Sequence, residues 1–501
     1  MDFVFPRSKD VSFPPNGMGS TTLNRKTLVD DLSNLVLKGN NQSLYIRGPA
    51  GSGKSFLLNL MGRRLKELGY RVIFLAHAGL LNDFKTPQLL ELENTAMAAT
   101  DPLAMKVFFV VDEVHQNPSS PLWDFLLKMS KHIVTIGAGI PRTAISPHFQ
   151  LKLEPRSILF AESELDECIA SFATIFPEYP RDVLSSVLQW ALETTGGQSY
   201  PFLKLSEYLL RDHKDSCIDG SFENLFLNVD LNSHPLLLEV KNRAYNDPRS
   251  IALSCDFMSS MGKEFYFEKM NYLIDCGYWD PSSEQFVSQL FVWICLAVVK
   301  KDNALHVDWD NKDEALQQVI LHGMSRMKES DFFDNSVNKY RIENSISFSF
   351  AYHMASIKQL NVRTQVRVSS SRRKVGHPPT IDFYLNGRLG CYLEVVRNGH
   401  KLEEHFDRFE SVEGSYHRHV NEYGVLNIEL LNEGEPKVPP RLSDAVRNKL
   451  FTFVMPLNTL YRNKRVVATN VSPHLNKSPG IVVPPYLASS RTLYTIARRM
   501  I

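Results

Sequence analysis

Little in this chain of 501 residues ties it to a membrane, a secretory route or a metal cage. Its six cysteines, Cys168, Cys217, Cys255, Cys276, Cys295 and Cys391, are scattered, with no C-x-x-C pair and no histidine at zinc-site spacing. Buried free thiols are therefore expected. The longest apolar run, Gln289 to Lys300, falls short of the roughly 20 residues that span a bilayer. Met1 to Asn16 carries prolines and charges where a secretory signal needs a continuous apolar stretch, so a soluble, reducing compartment is expected. Charge is balanced too: 56 Lys and Arg against 55 Asp and Glu leave a formal net charge of +1. A nucleic-acid surface would have to be a local patch. No internal repeat is present, and Ser369 to Ser371 is the only low-complexity hint.

What is present is a globular composition, 43% hydrophobic and 22% charged, with an α/β pattern. Apolar residues at helical spacing run from Arg25 to Leu37, and Asn40-Asn41 turns the chain into an apolar strand, Ser43 to Arg47. A helix from Phe56 to Leu68, closed by Gly69, leads to a second buried strand, Arg71 to Ala76. Lys106 to Val111 reads as another strand, Pro121 to Ser130 as a helix, and His132 to Ile136 as the next strand. Such alternation predicts a parallel sheet between helices. From Ser163 to His213 the pattern is helical, broken at Thr195-Gly196-Gly197, and helices are expected to about Asn344.

Between the first strand and helix stands Gly48-Pro49-Ala50-Gly51-Ser52-Gly53-Lys54-Ser55, which matches G-x-x-x-x-G-K-[ST] in the context that the motif requires. Glycines let the backbone curl so that its N–H groups face phosphate oxygens, and the following helix N-terminus favours negative charge. Lys54 is expected on the β and γ phosphates of ATP, and Ser55 on magnesium. Asp112 follows the apolar strand Val107 to Val111 and is the expected second magnesium residue, while Glu113 beside it can orient and deprotonate water. The strand ending at Ile136 is expected to run into a polar turn, Gly137-Ala138-Gly139, that brings Arg142 near the carboxyl ends of the strands as a γ-phosphate ligand.

A glutamate after the strand-end aspartate, with a further strand beyond it, resembles the additional-strand catalytic-glutamate branch of P-loop NTPases. More narrowly it is similar to the STAND and archaeal-type ATPases, over about residues 25 to 215. Those families carry a helical lid with a Gly-Gly-x-Pro-Tyr-like turn, and Gly196-Gly197-Gln198-Ser199-Tyr200-Pro201 is similar though not identical. Asp112-Glu113-Val114-His115 also spells the DExH box of helicases, but no alternating strands beyond Cys217 would supply the second helicase domain.

Composition shifts near Gln365. Arg363, Arg367, Arg372, Arg373 and Lys374 make a basic stretch that suits phosphate contact, a solvated loop or a nuclear-localisation signal. Strand-like Thr380 to Leu385 and Gly390 to Val396 are expected to meet at the turn Asn386-Gly387. That hairpin brings Asp382 and Glu394 onto neighbouring strands, where two carboxylates can share magnesium and serve phosphodiester hydrolysis. Phe383, Tyr384 and Tyr392 are expected in the core rather than as base-stacking platforms.

The ordered series Glu394, Arg397, Glu404-His405, Arg408-Phe409, Gly414 and Tyr416, then the apolar strand Gly424 to Leu430, resembles the nuclease-like domain of Crinkler effectors and retrotransposon-hot-spot proteins. Those families join an N-terminal P-loop ATPase to a restriction-endonuclease-like domain. The resemblance implies Asp382 and Glu394 as metal-binding acids, Arg397 as the arginine after the Glu strand, and His405 and Arg408 on the helix that caps the site. Glu343 is a looser upstream acid. It further implies action on DNA, self-association through the ATPase, and a nuclear site of action.

Two departures stand out. Val396 occupies the position of the lysine in the D…ExK pattern, and the neighbouring Arg397 cannot replace it as a base because it stays charged. The stretch before Arg25 is too short for the ubiquitin-like header of many Crinklers. Two alternatives follow: an ATP-switched nucleic-acid-binding protein with a silent nuclease domain, or a STAND-like signalling ATPase that binds protein. The expected organisation is a leader at 1–24, a P-loop core at 25–155, a helical lid at 156–222, connecting helices at 223–340 and the endonuclease-like domain at 341–501.

Overall fold

The computed structural model describes residues 23–456 and 467–470 apart from 24, 39–42, 76, 80–85, 101–105, 118, 121, 130–131, 140–148, 228, 230, 260–265, 284, 303–306, 328–332, 335–338, 341–342, 368–379, 398–401, 412–419, 421 and 432–449. Arg142, Arg372, Arg373, Lys374, Gly414 and Tyr416 lie outside the described residues.

The N-terminal unit contains α1 (Lys26–Lys38), β1 (Leu44–Arg47), α2 (Lys54–Glu67), β2 (Arg71–Leu75), α3 (Thr86–Met97), β3 (Val107–Val111), the short α4 (Leu122–Asp124), β4 (Ile133–Gly139) and β5 (Leu151–Leu153). Its five strands lie in the order β2-β3-β4-β1-β5, and every pair is parallel. All of β3 is buried, as a central parallel strand covered on both faces must be. Phe108 and Val110 point to the core beneath α1 and α2, and Phe109 and Val111 to the opposite core with Trp123 and Phe149. The predicted order of helices and strands is present. One turn is not: Gly137 to Gly139 continue β4 as buried strand, because Gly137 and Gly139 pair with Tyr45 and Arg47 of β1.

A helical region follows: α5 (Leu165–Ile175), α6 (Arg181–Thr195), α7 (Ser199–Asp212), α8 (Lys214–Asp219), α9 (Phe222–Leu227), α10 (Pro235–Ala244), α11 (Pro248–Ser259) and α12 (Tyr266–Asp275). Then come a small hairpin, β6 (Trp279–Asp280) with β7 (Gln285–Phe286), α13 (Gln289–Ala297), α14 (Lys312–Arg326) and a second small hairpin, β8 (Phe333–Asp334) with β9 (Lys339–Tyr340). Leu290 to Leu296 of α13 are all buried, the mark of a helix enclosed on every side. One apolar core runs from Phe172 and Phe202 through Phe291 and Trp293 to Phe350, Phe383 and Leu393.

The C-terminal unit opens with α15 (Glu343–Ala355) and continues through β10 (Leu360–Arg367), β11 (Thr380–Gly387), β12 (Cys391–Arg397), α16 (Leu402–Glu410), β13 (Tyr423–Leu431), β14 (Leu450–Pro456) and β15 (Val467–Asn470). The strands form one sheet in chain order: β10-β11 and β11-β12 are antiparallel, β12-β13 and β13-β14 parallel, β14-β15 antiparallel. The β11-β12 hairpin forms, but its turn is not Asn386-Gly387. Those two residues pair with Asn361 and Leu360, and the chain reverses over Arg388 to Gly390, where Gly390 takes φ +56°. Pairing with β10 lengthened β11 past the Asn-Gly signal.

Candidate functional site

The loop after β1 is a tight curl that depends on glycine. Gly51 and Gly53 hold φ of +70° and +93°, a left-handed backbone that glycine adopts without penalty. A Cβ on Gly48 would lie 2.7 Å from Ile158 Cδ1, and one on Gly53 would collide with Ser199 Oγ. Ser52 Oγ donates to Pro49 O at 2.8 Å, tying the curl across its base. Lys54 Nζ donates to Gly48 O at 3.0 Å and Pro49 O at 2.7 Å. Burial lowers its pKa to about 8, while Asp112 and Glu113 pull the other way. The two acids thus offset part of the desolvation of the ammonium beneath the loop.

Asp112 is buried, and its Oδ1 accepts from Glu113 N at 2.8 Å. Glu113 has φ +46°, an uncommon conformation for a residue with a side chain and of the kind stored at functional sites. Its carboxylate accepts from Gln116 Nε2. Val114–Gln116 forms a 3-10 turn immediately beyond. Ser55 is exposed at the start of α2. Lys54, Ser55, Asp112 and Glu113 thus stand at the carboxyl ends of β1 and β3, with β4 between these strands. This five-stranded parallel sheet, with a glycine-rich loop after its first strand, has the arrangement of a P-loop NTPase fold.

Strand order and loop carry that statement. No family model matches the chain, and no curated protein does. Among solved structures, the Thermotoga maritima RuvB Holliday junction branch migration motor is 16% identical, with a TM-score of 0.28, over 51% of this chain and 90% of that one. AMPPCP-bound DnaA from Aquifex aeolicus is 15% identical, with a TM-score of 0.26, over 51% of this chain and 84% of that one. A DNA replication initiation factor covers 71% of this chain at 15% identity, with a TM-score of 0.23. Likenesses so slight carry no weight beside the geometry.

The helical lid grips the loop. Tyr200 N donates to Gly51 O at 2.8 Å, and Ser199 Oγ donates to Ser52 O at 3.0 Å. Tyr200 OH in turn donates to Glu239 at 2.6 Å. The lid therefore occupies loop carbonyls, the groups that a phosphate does not need. The Gly196-Gly197 turn (φ +61° and +74°) makes this possible, since a Cβ on Gly196 would collide with Val287 O. Gln198 is fully buried and its side-chain amide finds no partner among the described residues. From the other side, a Cβ on Gly277 would lie 3.4 Å from Pro49 Cδ. The sequence marked the lid turn but not this second contact, which has no local motif.

In the C-terminal sheet, Phe383 pairs with Leu393, so Asp382 and Glu394 occupy the next rung, on the face that carries Tyr384 and Tyr392. Asp382 accepts from Val395 N at 2.7 Å and from Gln365 Nε2 at 3.2 Å. Gln365 sits at φ +52° between the paired residues Thr364 and Val366, a left-handed kink in β10 opposite Asp382 that leaves the register unchanged. Glu394 is buried. Its Oε1 accepts from His405 Nδ1 at 2.7 Å and Arg408 at 3.1 Å, while Oε2 is buried without a partner among the described residues. Arg408 also reaches Glu404 at 3.3 Å. Helix α16 thus caps Glu394 with two basic residues.

Other expectations meet different ends. Arg397 is the last residue of β12 and Glu343 the first of α15, but their side chains, like that of Arg367, lie outside the described set. Arg363 does not belong to a surface patch: it is buried, donates to Val229 O at 2.6 Å and lies over the Trp293 ring. Phe383, Tyr384 and Tyr392 are buried in the core. Among the described residues no group of three or more His, Cys, Asp and Glu is arranged to hold a metal, and no helix is long and apolar enough to cross a membrane. The cysteines are free thiols, and all but the half-buried Cys255 are buried.

Proposed function

We propose that the protein is an ATPase whose nucleotide state acts on a nuclease-like C-terminal domain engaged with DNA. The observation that carries the first half is the glycine-curled loop Gly48 to Ser55 between β1 and α2, with Lys54 bonded beneath it and Asp112 and Glu113 at the end of the nearby strand β3. Ser55 and Asp112 would hold magnesium, which, when bound, neutralises phosphate charge. Lys54 and the loop amides bind and orient the triphosphate. Glu113 takes a proton from water for attack on the γ phosphate, and Gln116, bonded to it, fixes its carboxylate.

The second half rests on the succession α15-β10-β11-β12-α16-β13 with two carboxylates on one rung. Asp382 and the unpartnered Oε2 of Glu394 suit a hard cation that takes oxygen ligands from one or two carboxylates and completes its shell with water. Bound there, magnesium would activate water toward a phosphodiester. His405 and Arg408 hold Glu394 in place, and Arg408 offers charge to a phosphate. The resemblance to Crinkler effectors suggests a nuclear site of action.

Coupling has a physical route. Ser288, which caps α13, bonds Tyr245 OH at 2.9 Å and lies beside the lid turn. At the far side of α13, Trp293 Nε1 donates to Thr364 O at 3.0 Å, and Thr364 Oγ1 donates to Gln289 at 3.1 Å. The next residue, Gln365, holds Asp382. A lid displaced by nucleotide would move α13 and, with it, the kink at Gln365.

A second reading is favoured by Val396 in place of the motif lysine and by the two basic residues already on Glu394: a nucleotide-switched DNA-binding protein that does not cut. The test is to incubate wild type, Lys54→Ala and Glu394→Ala with plasmid and single-stranded RNA, with and without ATP and magnesium. Magnesium-dependent cleavage that Glu394→Ala abolishes and Lys54→Ala alters supports the first reading. Salt-dependent binding without cleavage supports the second, and no affinity at low salt contradicts both.

A further inference from the structure

We infer that Cys255 and Cys295 form an oxidative modification site, a thiol pair that a hydroperoxide converts to a disulfide between α11 and α13. The two residues stand 40 positions apart in the chain, and helix packing brings them together. Helix α11 turns Ser250, Ser254, Phe257 and Met258 into the core, and Cys255 packs at the border of that buried face. Cys295 lies in the last turn of α13, where helix carbonyls lack their usual partners. Its carbonyl accepts from Val298 N at 3.3 Å and from the Cys255 thiol at 3.5 Å. The Cys255 sulfur is thereby held against the residue whose thiol would resolve it.

The two thiols differ in access and in acidity. Cys255 is half-buried, and the other five cysteines are buried. A hydrogen bond from the Cys295 thiol lowers the pKa of Cys255, against the opposing effects of burial and Asp256. Burial raises Cys295 well above the ordinary thiol range. It also pushes Cys168 and Cys217 up to about 12 and Cys276 up to about 11. Because the thiolate is the nucleophile, peroxide selects an accessible cysteine of lowered pKa with a second thiol beside it.

The Cys255 thiolate attacks one oxygen of the peroxide: an S–O bond forms, the O–O bond breaks and hydroxide leaves, so that sulfur is oxidised by two electrons and the peroxide reduced. The Cys295 sulfur then attacks the Cys255 sulfur. An S–S bond forms, the S–O bond breaks, and the departing hydroxide takes the Cys295 proton to become water. In a reducing compartment such a link is transient, and a thiol reductant reverses it. While it lasts it pins α11 to α13, the enclosed helix that Ser288 joins to Thr194 O at 3.4 Å and Trp293 joins to Thr364 O.

The test treats folded full-length wild type, Cys255→Ser and Cys295→Ser with hydrogen peroxide, blocks the remaining thiols with iodoacetamide and maps the peptides by mass. Wild type is expected to yield a linked pair of peptides carrying Cys255 and Cys295, which dithiothreitol separates. Cys255 should react about tenfold faster than any of the thiols outside the pair. In Cys295→Ser, with no thiol to resolve it, Cys255 should stop as a sulfenic acid that dimedone captures. In Cys255→Ser, Cys295 should stay reduced. Treated wild type in which Cys255 is unmodified or carried on to sulfinic acid, with no linked pair, would overturn the inference, as would a link from Cys255 to any other cysteine. Where a serine variant fails to fold, the wild-type map still decides.

Discussion

Glu113 shows how much a single residue can disclose. Its place after an apolar strand is legible in the sequence, but its left-handed backbone and its bond to Gln116 are not, because neither leaves a local pattern. Glu113→Gln is expected to lower ATP turnover by about 10²–10⁴, the range for loss of a general base, while ATP affinity holds. Turnover and affinity measured on the same preparation check this. A second residue carries a pH dependence. His322 in α14 sits against Ser356 Oγ at 3.2 Å, and burial, with Arg326 nearby, lowers its pKa from 6.5 to about 4. The unfolded chain takes up a proton below 6.5 and the folded one only near 4, so stability is lost as pH falls through that window. The loss reaches up to about 3 kcal/mol. Denaturant titrations at pH 7 and 4.5 on wild type and His322→Gln should show a smaller pH effect in the variant.

At the scale of elements, the phosphate loop and the lid turn were readable because both depend on glycine at fixed positions. Their contact was not, since Tyr200 N to Gly51 O joins residues far apart in the chain. Gly196→Ala would drive a Cβ into Val287 O and is expected to cost ~1–3 kcal/mol, read as a lowered denaturant midpoint. Helix α13 is the other element whose role the sequence hid: its apolar run excluded a membrane span but said nothing of its neighbours. Trp293→Phe keeps most of the packing and removes the bond to Thr364 O. It should cost about 1 kcal/mol and disconnect the two ends, so that ATP no longer alters DNA binding or cleavage. An unchanged ATP response would contradict the route through α13.

For the whole molecule, the order of a P-loop unit, a helical region and a second α/β unit follows from hydrophobic periodicity, which is set locally. What sequence could not give is the continuity between them, a core that runs from Phe172 to Leu393, or the fate of residues whose local signals were overridden by pairing. Gly137 to Gly139 became strand, Asn386-Gly387 joined β10, and Arg363 was buried. Every further claim, from the lid to the carboxylates of the C-terminal sheet, depends on a nucleotide occupying the loop. The most direct measurement is calorimetric titration of ATP, with magnesium, into the full-length protein and into Lys54→Ala. Saturable one-to-one binding by the wild type and loss of that binding in the variant are predicted. Folded wild type with no heat of binding to ATP, or a variant that binds as well, would contradict the account.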